Sequence, residues 1–103
     1  MKIVRVQYTI SAGYVAQNQQ NIQGIVAELK QLNHPGIKYS TYLLPDGQTF
    51  MHLDHFTNED AHQALMALAS FQKFAGELDA NGFEAEPELE ILSIVSATDE
   101  FFD

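Results

Sequence analysis

The sequence predicts a single α+β domain of βαββαβ order, and three observations carry that reading. Residues 2–10 (KIVRVQYTI) alternate apolar and polar side chains, as a half-buried strand does. Two later stretches, 14–32 and 57–81, repeat apolar residues at spacings of three and four, the pattern of amphipathic helices. Between them, Leu44-Pro45-Asp46-Gly47-Gln48 joins two strand-like runs with the residue types of a tight turn. Elements in this order make a four-stranded antiparallel sheet with both helices on one face, the ferredoxin-like arrangement.

In the first strand Val4, Val6, Tyr8 and Ile10 share one parity, while Arg5, Gln7 and Thr9 share the other. Ser11 stands where a helix cap would. The first helix then runs over 14–32, with Val15, Ile22, Ile25, Val26, Leu29 and Leu32 as its apolar stripe. Gln17–Asn21 reads as its solvated face. Asn33-His34-Pro35-Gly36 stops it, because proline cannot continue a helix and disfavours helical dihedrals in the residue before it. Residues 37–44 and 48–56 are the two arms of a hairpin.

Thr57 or Asn58 caps the second helix, with Asp60 at the capping-box position. Ala61, Leu65, Leu68, Phe71, Ala75 and Leu78 form its buried stripe, Ser70 marks a break, and Asn81-Gly82 is a stop. Residues 83–88 read as an acidic connection and 89–97 as the last strand. The domain so drawn spans residues 1–97, with 98–103 as an acidic tail.

The 103 residues carry 5 Lys and Arg against 14 Asp and Glu, a formal charge of −9. The bases, Lys2, Arg5, Lys30, Lys38 and Lys73, are scattered, and residues 77–103 hold nine acids and no base. Nucleic-acid backbones and anionic membranes are recognised by clustered Lys and Arg, so neither is an expected partner. The absence of cysteine excludes disulfides, thiolate nucleophiles and cysteine-ligated zinc. No signal-peptide pattern follows Met1 and no apolar run approaches a membrane span, so the expected location is cytoplasmic.

Apolar residues occupy both parities of the later strands. Ile37, Tyr39 and Leu43 oppose Tyr42 and Leu44, and Leu89, Ile91 and Val95 oppose Leu92 and Ile94. Helices cover only one set, and the other would leave an apolar patch unusual on a monomer. A homodimer closed sheet against sheet, with two-fold symmetry, is the expected solution.

Further residues bring a family into view. The first strand runs into a loop at Gly13, Pro35-Gly36 leads into the second strand, and Phe50 to Phe56 form the third. The second helix contains Leu68-Ala69-Ser70-Phe71-Gln72-Lys73-Phe74. On these features nearly the whole chain resembles the dimeric α/β-barrel superfamily and, within it, the antibiotic-biosynthesis-monooxygenase-like (ABM) domains. The L-x-S-x-x-x-F segment is the most typical part. The resemblance implies a small dimer with a substrate pocket between the sheet and the helices of one protomer. In some members it also implies oxidation of quinols or polycyclic aromatics without metal or flavin. It does not extend to the polar residues of the family's branches. Alignment on Phe71 puts Leu65 and Ala75 where haem-degrading members have Trp and His, and alignment on Gly13 puts Val6 at their Asn, with Gln7 one residue away. Leu65 also stands where quinol-oxidising members often carry a His, and the chain has no Trp. Haem degradation is not implied.

Four histidines, His34, His52, His55 and His62, are the first candidates for chemistry. Alternation puts His52 and Asp54 on one sheet face and His55 on the other, with Met51 and Leu53. His62 lies one turn into the second helix, so His55 and His62 are expected to approach at the pocket mouth. Such a pair can serve as acid and base near neutral pH, although two histidines without a carboxylate do not make a metal site. The plainer reading is two partly exposed polar residues. Arg5, His52 and Asp54 are expected to cluster at the dimer face, as interface register or as a dyad in which Asp54 orients His52.

Val4, Val6, Tyr8 and Leu65 are the expected pocket lining, and Tyr8, Tyr39 and Tyr42 can supply hydroxyls to it or simply pack. No phosphate loop, nucleophile elbow or zinc-protease motif occurs, and no metal or cofactor is expected. Two functions of different class follow. One is a cofactor-independent monooxygenase acting on a small aromatic or quinol. The other is a non-catalytic dimeric module that binds a small apolar ligand or a partner.

Overall fold

A computed structural model describes residues 1–102 of the chain; Asp103, the last acid of the tail, lies outside them. Strands β1 (Lys2–Thr9), β2 (Ile37–Leu43), β3 (Thr49–Phe56) and β4 (Ala85–Leu92) form one antiparallel sheet in the order β2-β3-β1-β4. Helices α1 (Val15–Leu32), α2 (Glu59–Met66) and α3 (Ala69–Asn81) complete a ferredoxin-like α+β fold, with α1 packed on α3.

Local chemistry accounts for most boundaries. At the β2–β3 turn Gly47 takes φ 73°, and the Asp46 carboxylate accepts the backbone N–H groups of Gln48 (2.9 Å) and Thr49 (2.8 Å). A short 3-10 turn over Ala12–Tyr14 precedes α1, and the Ser11 side chain makes no cap bond. Asn33 closes α1 in the left-handed region, φ 50°, its N–H donating to Leu29 O. Asn58 caps α2 by accepting from Ala61 N at 2.9 Å. This sets Ala61, not Asp60, three residues inside the cap, so the expected capping box does not form.

The predicted second helix is two helices, separated at Ala67 and the extended Leu68. Ser70 falls in the first turn of α3. Its N–H and hydroxyl both donate to Glu28 Oε1 of α1, at 3.1 and 2.6 Å, so a distant side chain does the work of a cap.

The last strand differs from expectation. It begins at Ala85 and ends at Leu92, so Glu86, Glu88 and Glu90 all lie within it, where only Glu90 was expected. β4 is an edge strand paired with β1 alone, and its register shifts between Gln7 and Thr9. An edge with an irregularity tolerates Pro87, which cannot donate to a ladder.

Register decides the two faces. In the β1–β3 pair Val4 faces Asp54, Val6 faces His52 and Tyr8 faces Phe50, so these six side chains share the helix side. There the core forms from Val4, Tyr8, Ile10, Ile22, Ile25, Phe50, Phe56, Ala61, Leu65, Phe74 and Leu78. The outer side carries Ile3, Arg5, Gln7, Tyr42, Met51, Leu53, His55, Glu88, Glu90 and Leu92. The C-terminal segment reaches this side, where Phe101 stacks on His55 with ring centres 4.2 Å apart.

α1 holds a second correction. Asn18 and Asn21, read as part of a solvated face, are buried. With Ile22 and Ile25 they complete a stripe at 18, 21, 22 and 25, so the period was there while the residue type concealed it. Asn21 donates to Glu77 Oε1 (2.9 Å), and Asn18 to Tyr8 Oη (2.9 Å).

Candidate functional site

A cavity of about 280 Å³ lies between the sheet and the helices. β1 contributes Val4, Val6 and Tyr8, β2 Tyr39, and β3 His52 and Asp54. Across from them stand His62, Leu65 and Met66 of α2 and Phe71, Phe74 and Leu78 of α3. Phe83, Pro87 and Leu89 line its side along β4, where Phe83 and Leu89 are exposed. The four residues expected to line a pocket, Val4, Val6, Tyr8 and Leu65, are all among its walls. Tyr39 is there too, whereas Tyr42 lies on the outer side and is exposed.

The polar wall is organised around His52. With the Asn18 amide donating to Tyr8 Oη (2.9 Å), the Tyr8 hydroxyl proton is directed to His52 Nε2, 2.7 Å away. His52 Nδ1 then carries the ring proton and donates to Tyr39 Oη (3.1 Å) or Thr41 Oγ1 (3.2 Å). Both ring nitrogens are thus engaged. Burial holds the His52 pKa down at about 4, so the ring is neutral at physiological pH. Burial also raises the Tyr8 and Tyr39 hydroxyls well above the usual phenol range.

Asp54 is treated differently. It is 7% exposed, opposite Val4 on one side and Tyr39 on the other, and its Oδ1 has no hydrogen-bond partner. Burial lifts its pKa to about 7. His62 stacks on Phe56 with ring centres 4.5 Å apart, and its Nδ1 is also unpartnered. Burial and Lys2 lower its pKa, while Glu59 at 3.9 Å opposes them.

Two expectations about these residues are corrected. His55 does not meet His62, because β3 sends His55 to the outer side, where it stacks on Phe101, and α2 holds His62 over the inner side. Arg5 does not meet Asp54. It faces Leu53 in the β1–β3 register, and its guanidinium binds Glu90 Oε1 (2.8 Å) and Gln7 on the outer side. His52 and Asp54 accordingly belong to the cavity and not to the exposed sheet face. Phe50 and Phe56 share their parity and bracket them, which was the available sign that this side of β3 is the buried one. Phe71 was legible as a member of a helix stripe and Phe74 only as the end of the L-x-S-x-x-x-F segment. Among the described residues no three His, Asp or Glu side chains gather as a metal site.

Fold and cavity together define a class: an α+β domain with an aromatic-walled chamber between its sheet and helices. Solved structures share this fold. An antibiotic biosynthesis monooxygenase superposes with a TM-score of 0.77 at 14% identity, covering 93% of this chain and all of its own. Rv0793 from Mycobacterium tuberculosis gives 0.77 at 8% identity, covering 95% of this chain and 98% of its own. A Caulobacter crescentus protein assigned to the antibiotic biosynthesis monooxygenases gives 0.76 at 16% identity, covering 92% and 90%. The chain shares the fold of these solved structures over nearly its full length. No protein-family model and no curated protein matches the sequence, and among the described residues no helix is long and apolar enough to cross a membrane.

Proposed function

We propose that the chain binds a small electron-rich aromatic, a phenol or quinol, in this cavity and oxidises it with molecular oxygen without a cofactor. The observation that carries this reading is the cavity itself, whose walls are aromatic and aliphatic apart from one cluster of polar side chains. An apolar cavity of roughly 150 Å³ takes one benzene ring, so about 280 Å³ suits one or two rings. The fold shared with an antibiotic biosynthesis monooxygenase supports the oxidative part. A phenol with a free para carbon reacts in balance. It gains one oxygen atom there as a second carbonyl, and the other leaves as water, so phenol plus O₂ gives quinone plus water; a hydroquinone instead gives its two hydroxyl hydrogens to O₂, leaving quinone and hydrogen peroxide. Oxygen-electrode measurements with naphthols and hydroquinones should show protein-dependent uptake. No uptake across the panel would remove the oxidation.

A second reading, a module that binds such a ligand without turning it over, is favoured by His52, whose two ring nitrogens are already occupied. Ligand binding without oxygen uptake would select it.

The working unit we propose is a cytoplasmic homodimer joined through the outer sheet side. Met51, Leu53, Tyr42 and Leu92 there keep part of their surface open to solvent. Light scattering should return twice the 11.5 kDa chain mass.

A further inference from the structure

We infer that the Asp54 carboxyl selects the ligand, by accepting a hydrogen bond from the hydroxyl of a phenol held between Tyr39, Phe71 and Phe74. This rests on the proposed aromatic ligand and adds to it the group that recognises the hydroxyl. Tyr8 and His52 satisfy each other, with Asn18 behind Tyr8 and Tyr39 and Thr41 in front of His52. His62 keeps one unpartnered nitrogen, but its ring is stacked on Phe56 and partly exposed. Asp54 alone is more than nine-tenths buried, lines the cavity and leaves a carboxyl oxygen unpartnered.

A buried carboxyl without a donor is costly and calls for one. None of the surrounding side chains bonds Asp54 Oδ1. β1 presents Val4, α2 presents His62 and Leu65, and α3 presents Phe71 and Phe74. β2 presents Tyr39, whose hydroxyl already meets His52. Lys2 is engaged by Glu59, beside His62 at the start of α2. A ligand hydroxyl would supply the missing donor while the ring fills the apolar volume. Sites built to bond a hydroxyl reject analogues lacking it far more strongly than apolar pockets reject a change of size.

The test uses 1-naphthol, whose para carbon is free, and its methyl ether, 1-methoxynaphthalene, followed by naphthalene fluorescence in a chain that contains no Trp. The full chain should bind the naphthol at least about ten-fold more tightly than the ether at pH 8. Asp54→Leu should abolish that preference while binding the ether at least as well, and Asp54→Asn, which keeps an acceptor, should retain part of it. Circular dichroism of both variants shows whether they fold. Equal affinities in the parent chain, no binding of either probe, or an undiminished preference in Asp54→Leu would overturn the inference. Preference for naphthol without oxygen uptake would leave it standing and remove the oxidation. Oxygen uptake by Asp54→Leu at the parent rate would do the reverse.

Discussion

Tyr8 and His52 are diagonal neighbours across the β1–β3 ladder, and the Tyr8 hydroxyl meets His52 Nε2 at 2.7 Å with both side chains buried. Their contact ties α1, through Asn18, to β2, through Tyr39 and Thr41, and so fixes one wall of the cavity. Tyr8→Phe keeps the ring in place but leaves the Asn18 amide and His52 Nε2 unpaired. A loss of about 1–3 kcal/mol is expected in urea unfolding. An unchanged midpoint would show that water replaces the hydroxyl at no cost.

Burial sets the protonation state of His52. Its pKa, lowered to about 4, means that the unfolded chain takes up a proton first as the solution is acidified. Stability from this group is therefore present above the ordinary histidine range and is lost as pH falls toward 4. Nitrogen-detected NMR should show a neutral, Nδ1-protonated ring at pH 6.

Asp54 has the opposite sign. With its pKa raised from 3.8 to about 7, the folded chain holds the proton more tightly than the unfolded one. Its contribution is greatest below 3.8 and is lost as pH rises through 7. Asp54→Asn should raise stability at pH 8 by on the order of 2–4 kcal/mol and change it little at pH 4. Denaturation curves at the two pH values that move in parallel would contradict this.

The hairpin turn offers a purely local test. Gly47 has a positive φ of 73° and no atom near the position of a Cβ, so Gly47→Ala introduces backbone strain without a clash. A destabilisation of about 1 kcal/mol is expected by thermal or chemical melting. Asp46→Ala, which deletes the acceptor for two backbone N–H groups, should lower the melting temperature too.

On the outer side, Leu53→Lys places a charge in the middle of the proposed dimer face, between Arg5 and Ser40 in the ladder. Light scattering should then report the monomer mass. A dimer that persists would locate the contact elsewhere. Phe101→Ala frees the outer face of His55 and should raise its pKa, because burial is what lowers it.

How far the sequence could be read follows from the range of each interaction. The alternation of β1, the Pro45-Asp46-Gly47 turn and the Asn81-Gly82 stop depend on residues a few positions apart, and each appears where the pattern put it. Val4, Val6, Tyr8 and Leu65 fall on apolar faces that spacing alone reveals, while the sheet arrangement comes with the ferredoxin-like motif and the pocket between sheet and helices with the ABM resemblance. Alternation also grouped His52 with Asp54 and separated both from His55. It could not say which group the helices cover, because a period of two is the same on either face. The tertiary structure decided that by setting β3 against β1 in a register that lays His52 opposite Val6. It likewise buried Asn18 by giving its amide a tyrosine to bond, and made a strand of an acidic segment with Pro87 by leaving it at an edge. Polarity is a property of the residue, whereas burial depends on the partners that distant parts of the chain supply.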